Sequence, residues 1–151
     1  MKRKPVVIAV ILLFAVIACV FAWRMVSSYS IALTANWGFS PPKEAGCSEI
    51  YSSNSGASPH GDGIRYHIFS YESEKPVEEM LEWSTFEREM IFNASYSEAI
   101  EEWLGRIAVP GEYWPSITEC VYHYERQEDN SEIIVFWNRG RSRLYILESF
   151  L

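Results

Sequence analysis

From Val6 to Trp23 the chain carries no charged residue, and this stretch constrains everything that follows it. A helix of roughly 20 apolar residues, at ~1.5 Å each, is long enough to cross a ~30 Å hydrocarbon core. The segment is apolar on every face, so it lacks the amphipathic stripe of a helix lying on a membrane surface. Lys2, Arg3 and Lys4 precede it and only Arg24 follows closely. The positive-inside bias then places the N-terminus in the cytoplasm and the rest of the chain outside. Residues 1–26 are therefore expected to be a membrane anchor or signal segment, with the cell membrane as the location and the membrane itself as one partner.

Three fates of that segment are open. An uncleaved anchor is the preferred one. Val20-Phe21-Ala22 also offers a small residue before a cut, as secretory signals require. Val16-Ile17-Ala18-Cys19 resembles the lipobox of bacterial lipoproteins, which makes Cys19 a lipidation candidate, although the residues after it stay apolar.

Residues 27–46 read as a connector, rich in Ser and ending near Pro41-Pro42, with a first strand expected over Tyr29 to Leu33. Residues 47–151 read as one small outer domain. Beyond Trp23, twenty acidic residues face ten basic ones, a balance of −10. That balance disfavours nucleic acid as a partner. Cys47 and Cys120 are the two cysteines of this part, and outside the cytoplasm a bridge between them is expected. They form no Cys-x-x-Cys or Cys/His pair at metal-ligand spacing.

Along the domain, Ser52 to Gly63 reads as a long polar loop. Ile64 to Tyr71 alternates, with Ile64, Tyr66 and Ile68 on one side, which is strand periodicity. Pro76 suits the first turn of a helix whose inner face would hold Val77, Met80 and Leu81. Phe86, Met90 and Ile91 are also at helical spacing. Ser97 reads as the N-cap of a further helix with the stripe Ile100, Trp103, Leu104 and Ile107, ended by Val109-Pro110-Gly111. The last third reads as a meander. Residues 119–127 alternate, 133–137 are apolar on both faces as in a central strand, and 144–147 return after a short turn. The expected fold is α+β, an antiparallel sheet of about four strands with two helices on one face.

His60-Gly61-Asp62-Gly63 is the most pointed candidate for chemistry. An imidazole and a carboxylate two residues apart can share a space, as a proton-transfer pair or metal ligands require. The competing reading is a tight turn, with glycines supplying positive φ and Asp62 binding nearby amides. His67 and His123 would extend the pair to a metal cluster if they faced the same side, but ordinary strand histidines are commoner. The acidic runs around Glu78-Glu79, Glu82, Glu87 and Glu98 read as solvated helix faces rather than a glycosidase pair. Arg139, Arg141 and Arg143 form a basic patch suited to a carboxylate, a phosphate or an acidic helix of the same domain. Asn93-Ala94-Ser95 fits a glycosylation acceptor, and no nucleophile motif or phosphate loop occurs.

The run from Gly56 to Gly63, leading into the strand from Ile64, is similar to that of a loose group of small exported proteins of Gram-positive bacteria. Those proteins pair an N-terminal membrane segment with a His-Gly-Asp-Gly turn and an aromatic-rich α+β remainder. The resemblance implies an exported location and no activity. The expected function is thus that of a membrane-anchored extracytoplasmic binding or interaction domain without a cofactor, its ligand or envelope partner unspecified. The alternative is an envelope hydrolase or metal-dependent activity using His60 and Asp62.

Overall fold

The computed structural model describes residues 29–43, 46–56, 62–85 and 90–151, with the side chains of 90–95 undescribed. The expected anchor, Ala22 and Cys19 lie outside those residues. Among the described residues, no helix is long and apolar enough to cross a membrane. Contacts divide the chain into a unit ending at Pro41 and a second unit spanning Pro42–Leu151.

In the first unit, Tyr29–Trp37 is a helix (α1), not the strand its Tyr-Ser-Ile-Ala-Leu run suggests. The helix ends at Gly38, which takes φ 77°, a conformation favouring glycine, and donates its amide to the Thr34 carbonyl at 2.9 Å.

The second unit is built on six strands: β1 (Ser48–Asn54), β2 (Gly63–Ser70), β3 (Ser84–Thr85), β4 (Val121–Arg126), β5 (Glu132–Asn138) and β6 (Arg143–Phe150). Their order is β1-β2-β6-β5-β4-β3, antiparallel throughout, so four strands was an undercount. The two additions are both edges. β1 was hidden in a polar run because most of its side chains face solvent, and a register irregularity between Glu49 and Tyr51 leaves Ile50 39% exposed. β3 is two residues long, too short for any periodicity to declare it.

Period-2 alternation sorts the sheet into two faces. On one, Tyr66, Leu147, Ile134 and Tyr124 share a row, as do Ile68, Tyr145, Phe136 and Tyr122. A long helix, α3 (Met90–Arg106), lays Ile100, Trp103 and Leu104 onto this face, and Ile107 follows into the same buried cluster. Ser97 is inside α3 rather than capping it, because Tyr96 already belongs to the packed stripe and its phenol donates to the Tyr124 hydroxyl at 2.9 Å. The opposite face carries Ile133, Val135, Trp137, Leu144 and Ile146, all fully buried. As expected, β5 is apolar on both sides.

Residues 71–85 cross the Trp137 end of that second face. The Tyr71 ring stands edge-on to Trp137 at 6.0 Å, and the His123 ring reaches the Glu82 carbonyl at 3.1 Å. The helix opened by Pro76 lasts only one turn (α2, Lys75–Glu78). The Trp83 indole N–H donates to the Val77 and Glu78 carbonyls at 3.3 and 3.1 Å, occupying acceptors that a longer helix would use. The residues flanking α2, Tyr71 and Glu82, therefore meet the face opposite the one α3 covers, which corrects the expectation of two helices on one face.

α3 ends as a paired cap. The Val109 amide donates to the Leu104 carbonyl at 3.0 Å and the Ala108 amide to the Gly105 carbonyl at 3.1 Å. This geometry puts Ala108 at φ 52°, where a Cβ is strained. Ala108→Gly should stabilise the protein by about 1 kcal/mol, read as a raised urea midpoint at unchanged slope. A lowered midpoint would count against this account of the helix end.

Candidate functional site

The backbone around Asp62 is fixed by its neighbours. At the end of β1, the Asn54 side chain accepts the Gly56 amide at 2.9 Å and holds a turn in which Gly56 takes φ 88°. The Ser55 amide donates to the Ile64 carbonyl, and the Ser55 hydroxyl accepts the Ile64 amide, each at 2.9 Å. Gly63 sits between them at φ 150°, where a Cβ would lie 2.5 Å from the Ser55 hydroxyl oxygen. The positive φ favours glycine there, as the turn reading anticipated, and a Cβ would also displace the Ser55 hydroxyl from the Ile64 amide.

These residues form one wall of a cleft of about 420 Å³. Asp62 and Gly63 join Ser149 and Phe150 of β6, while Arg106, the last residue of α3, supplies a cation. The Ser53 hydroxyl donates to the Ile107 carbonyl at 3.1 Å, tying the end of α3 to β1 and so fixing Arg106 relative to Ser55. On the same strand pair, the Tyr66 phenol donates to the Tyr113 carbonyl at 2.7 Å and Tyr51 stacks on the Tyr113 ring at 4.1 Å. Burial pushes the Tyr66 phenol well above its ordinary value, with Tyr145, Cys120 and Tyr51 adding to the shift, so it stays a hydrogen-bond donor. Arg65 lies 4.6 Å from the centroid of the Phe150 ring, a cation–π contact beside the cleft.

Asp62 and Arg106 are both exposed and line the same space, yet among the described residues neither makes an ion pair or a hydrogen bond. The turn reading gave Asp62 amide partners, and it has none among these residues. His60 lies outside the described residues. Arg106 was missed because a basic residue in a last helical turn is ordinary, favoured there by the helix dipole. Only the return of β1, β2 and β6 to one end gives it a cleft.

His67 and His123 do share a face and a row, through Ile146 and Val135, but three strand spacings of about 4.8 Å separate them. Asp62 stands beyond the start of β2, so the structure brings neither histidine to it. Among the described residues, no group of three His, Cys, Asp or Glu side chains could hold a metal. His67 instead meets Glu49, with Nδ1 2.6 Å from Oε1. Burial lowers the pKa of His67, and the Glu49 carboxylate opposes that by hydrogen bond and charge.

Cys47 and Cys120 are free thiols. They precede β1 and β4, four strand spacings apart, or about 19 Å. A disulfide needs Cα atoms within about 7 Å, so the expected bridge is not made. Cys120 lines a second, smaller cleft of about 280 Å³ with Glu119, Trp137 and Arg139. Burial pushes its thiol up to about 12, which keeps it protonated and a poor nucleophile. Of the basic patch, Arg139 pairs with Glu78 at 2.8 Å, an acidic residue of the same domain.

No protein-family model, curated protein or solved structure matches this chain.

Two measurements follow from these environments. With its folded pKa lowered, His67 contributes stability that is fully present above its unfolded value of about 6.5 and is lost as pH falls toward the folded pKa. Glu49→Gln removes the opposing interaction, so the His67 resonances should titrate at still lower pH; an upward shift would contradict the pairing. A thiol-alkylating reagent should modify Cys120 only on unfolding. Rapid labelling of Cys120 in the native protein would contradict its burial.

Proposed function

We propose that the chain is a single-pass membrane protein whose domain, 47–151, is displayed outside the membrane as a binding module, with the Asp62–Arg106 cleft as its ligand site. The observation that carries the ligand site is the cleft itself. Its volume of about 420 Å³ falls in the range of small-molecule pockets, and it combines apolar walls at Ile64, Phe150 and Leu151 with two charges that have no partner among the described residues. Its walls are held by strand pairing and by the Ser53–Ile107 contact, so a ligand would meet a largely pre-formed shape. The membrane placement rests on the uncharged run from Val6 to Trp23 and the cations before it. The acidic balance beyond it suits a small ligand better than a polyanion.

A second reading, an envelope hydrolase or metal-dependent enzyme using His60 and Asp62, is favoured by one fact: Asp62 lines the cleft. Divalent-metal titration separates the two, since a metal site requires binding that Asp62→Ala and His60→Ala abolish.

The placement and the ligand site are tested independently. Protease added to intact cells should degrade the C-terminal domain and spare it only if the orientation is reversed. A thermal-shift screen of small metabolites on the full chain in detergent micelles should yield stabilising compounds. These compounds should shift the amide resonances of Gly56, Gly63, Arg106 and Ser149. Stabilising compounds that leave those four signals unmoved would sink the cleft as the ligand site.

A further inference from the structure

The charges of this cleft point to a ligand class. We infer that it takes a small zwitterion, a molecule carrying one ammonium and one carboxylate or phosphate together with an apolar body. The inference rests on the binding-module reading and narrows it. Asp62 supplies an acceptor-only carboxylate and Arg106 a planar guanidinium suited to bidentate oxygen pairs. The two groups line one cleft without pairing with each other or with any other described residue. A ligand with both charges completes both at once, whereas a ligand with one charge leaves the other protein group beside an unmatched or repelling partner.

The apolar part has its own place. Ile64, 2% exposed and paired with Ser149, closes the floor of the cleft, and Phe150 and Leu151 extend the apolar surface toward solvent. The Phe150 ring is already occupied by Arg65 at 4.6 Å, which holds its orientation. Long-range charge sharpens the choice. The −10 balance beyond Trp23 repels a free monoanion, a penalty that a net-neutral zwitterion does not suffer. Two sources carry this chemistry, an amino acid or short peptide with free ends and a zwitterionic lipid headgroup.

The test uses the full chain in detergent micelles, titrated calorimetrically and by amide resonances. The probes are L-leucine, L-leucyl-L-leucine, glycerophosphoethanolamine, 4-methylpentanoate and 3-methylbutylamine. Saturable binding by at least one zwitterion, tenfold or more tighter than by the single-charge analogues, supports the inference. Leucine or its dipeptide binding best assigns an amino-acid source, and glycerophosphoethanolamine binding best assigns a lipid headgroup. Asp62→Asn and Arg106→Gln, both at exposed positions, should each weaken that binding at least tenfold without lowering the Tm. Equal binding of the single-charge analogues, unchanged affinity in both variants, or no binding of any probe overturns the zwitterion. A single-charge compound that moves the Gly63 and Ser149 signals would overturn it while leaving the binding module standing. A screen in which nothing reaches those signals removes the module as well.

Discussion

The structure depends on the pairing of β6 with β2 and β5 at the centre of the sheet. Every residue of β6 has a partner on each of these neighbours over most of its length, from Arg143 between Ser70 and Asn138 to Ser149 between Ile64 and Glu132. Leu144, Ile146 and Leu147 are fully buried, so this strand contributes apolar area to both faces of the domain. A Val, Leu or Ile side chain taken fully out of water is worth about 1.5–3 kcal/mol, and the central strands stack several in adjacent rows. α3 covers one face, and residues 71–85 cross the Trp137 end of the other. The cleft exists because the same pairing brings the end of β6, the start of β2 and the exit of β1 to one edge of the molecule.

The domain separates buried polar chemistry from exposed charge with some consistency. Two of its phenols are spent on structure: buried Tyr66 on the Tyr113 carbonyl, and half-buried Tyr124 between the Tyr96 hydroxyl and Glu132. Tyr71 is pushed upward by burial, with the Cys47 thiol beside it adding to the shift. Asp62 and Arg106, which have no partner among the described residues, are at the surface, where charge costs little to maintain.

How much of this was legible depended on burial. β2, β4, β5 and β6 announced themselves because each alternates or is apolar throughout, and their side chains do face a core. The stripe Ile100, Trp103, Leu104 and Ile107 was readable for the same reason. β1 was not, since Ile50 and Tyr51 are adjacent among Ser, Glu and Asn and give no hydrophobic period, and its side-chain contacts, Tyr51 on Tyr113 and Ser53 on the Ile107 carbonyl, are to residues distant in sequence. α1 was misread because Tyr, Ile and Thr lean toward strands, while its hydrogen bonding is local. Asp62 was found through its glycines, and one of them, Gly63, holds a φ that residues with a Cβ rarely adopt. Arg106 was invisible because nothing local distinguishes it; its significance is a property of how distant strands return to one end.

The position of β6 also bears on how the chain reaches this state. β2 borders β1 on one side, but its other side has no partner until Arg143–Phe150 arrives. The pairing of Gly63 with Phe150 closes a segment that includes the whole of α3 and the β4–β5 hairpin. Loop-closure entropy must be met before such a contact contributes, which slows folding when the paired segments are far apart in sequence. Until that strand is in place, β2 and β5 each present an open hydrogen-bonding edge beside strongly apolar side chains. While it is being completed the chain would therefore spend its unfinished interval as two sheet fragments awaiting the same strand. Its vulnerability to mispairing with other chains is concentrated in that interval.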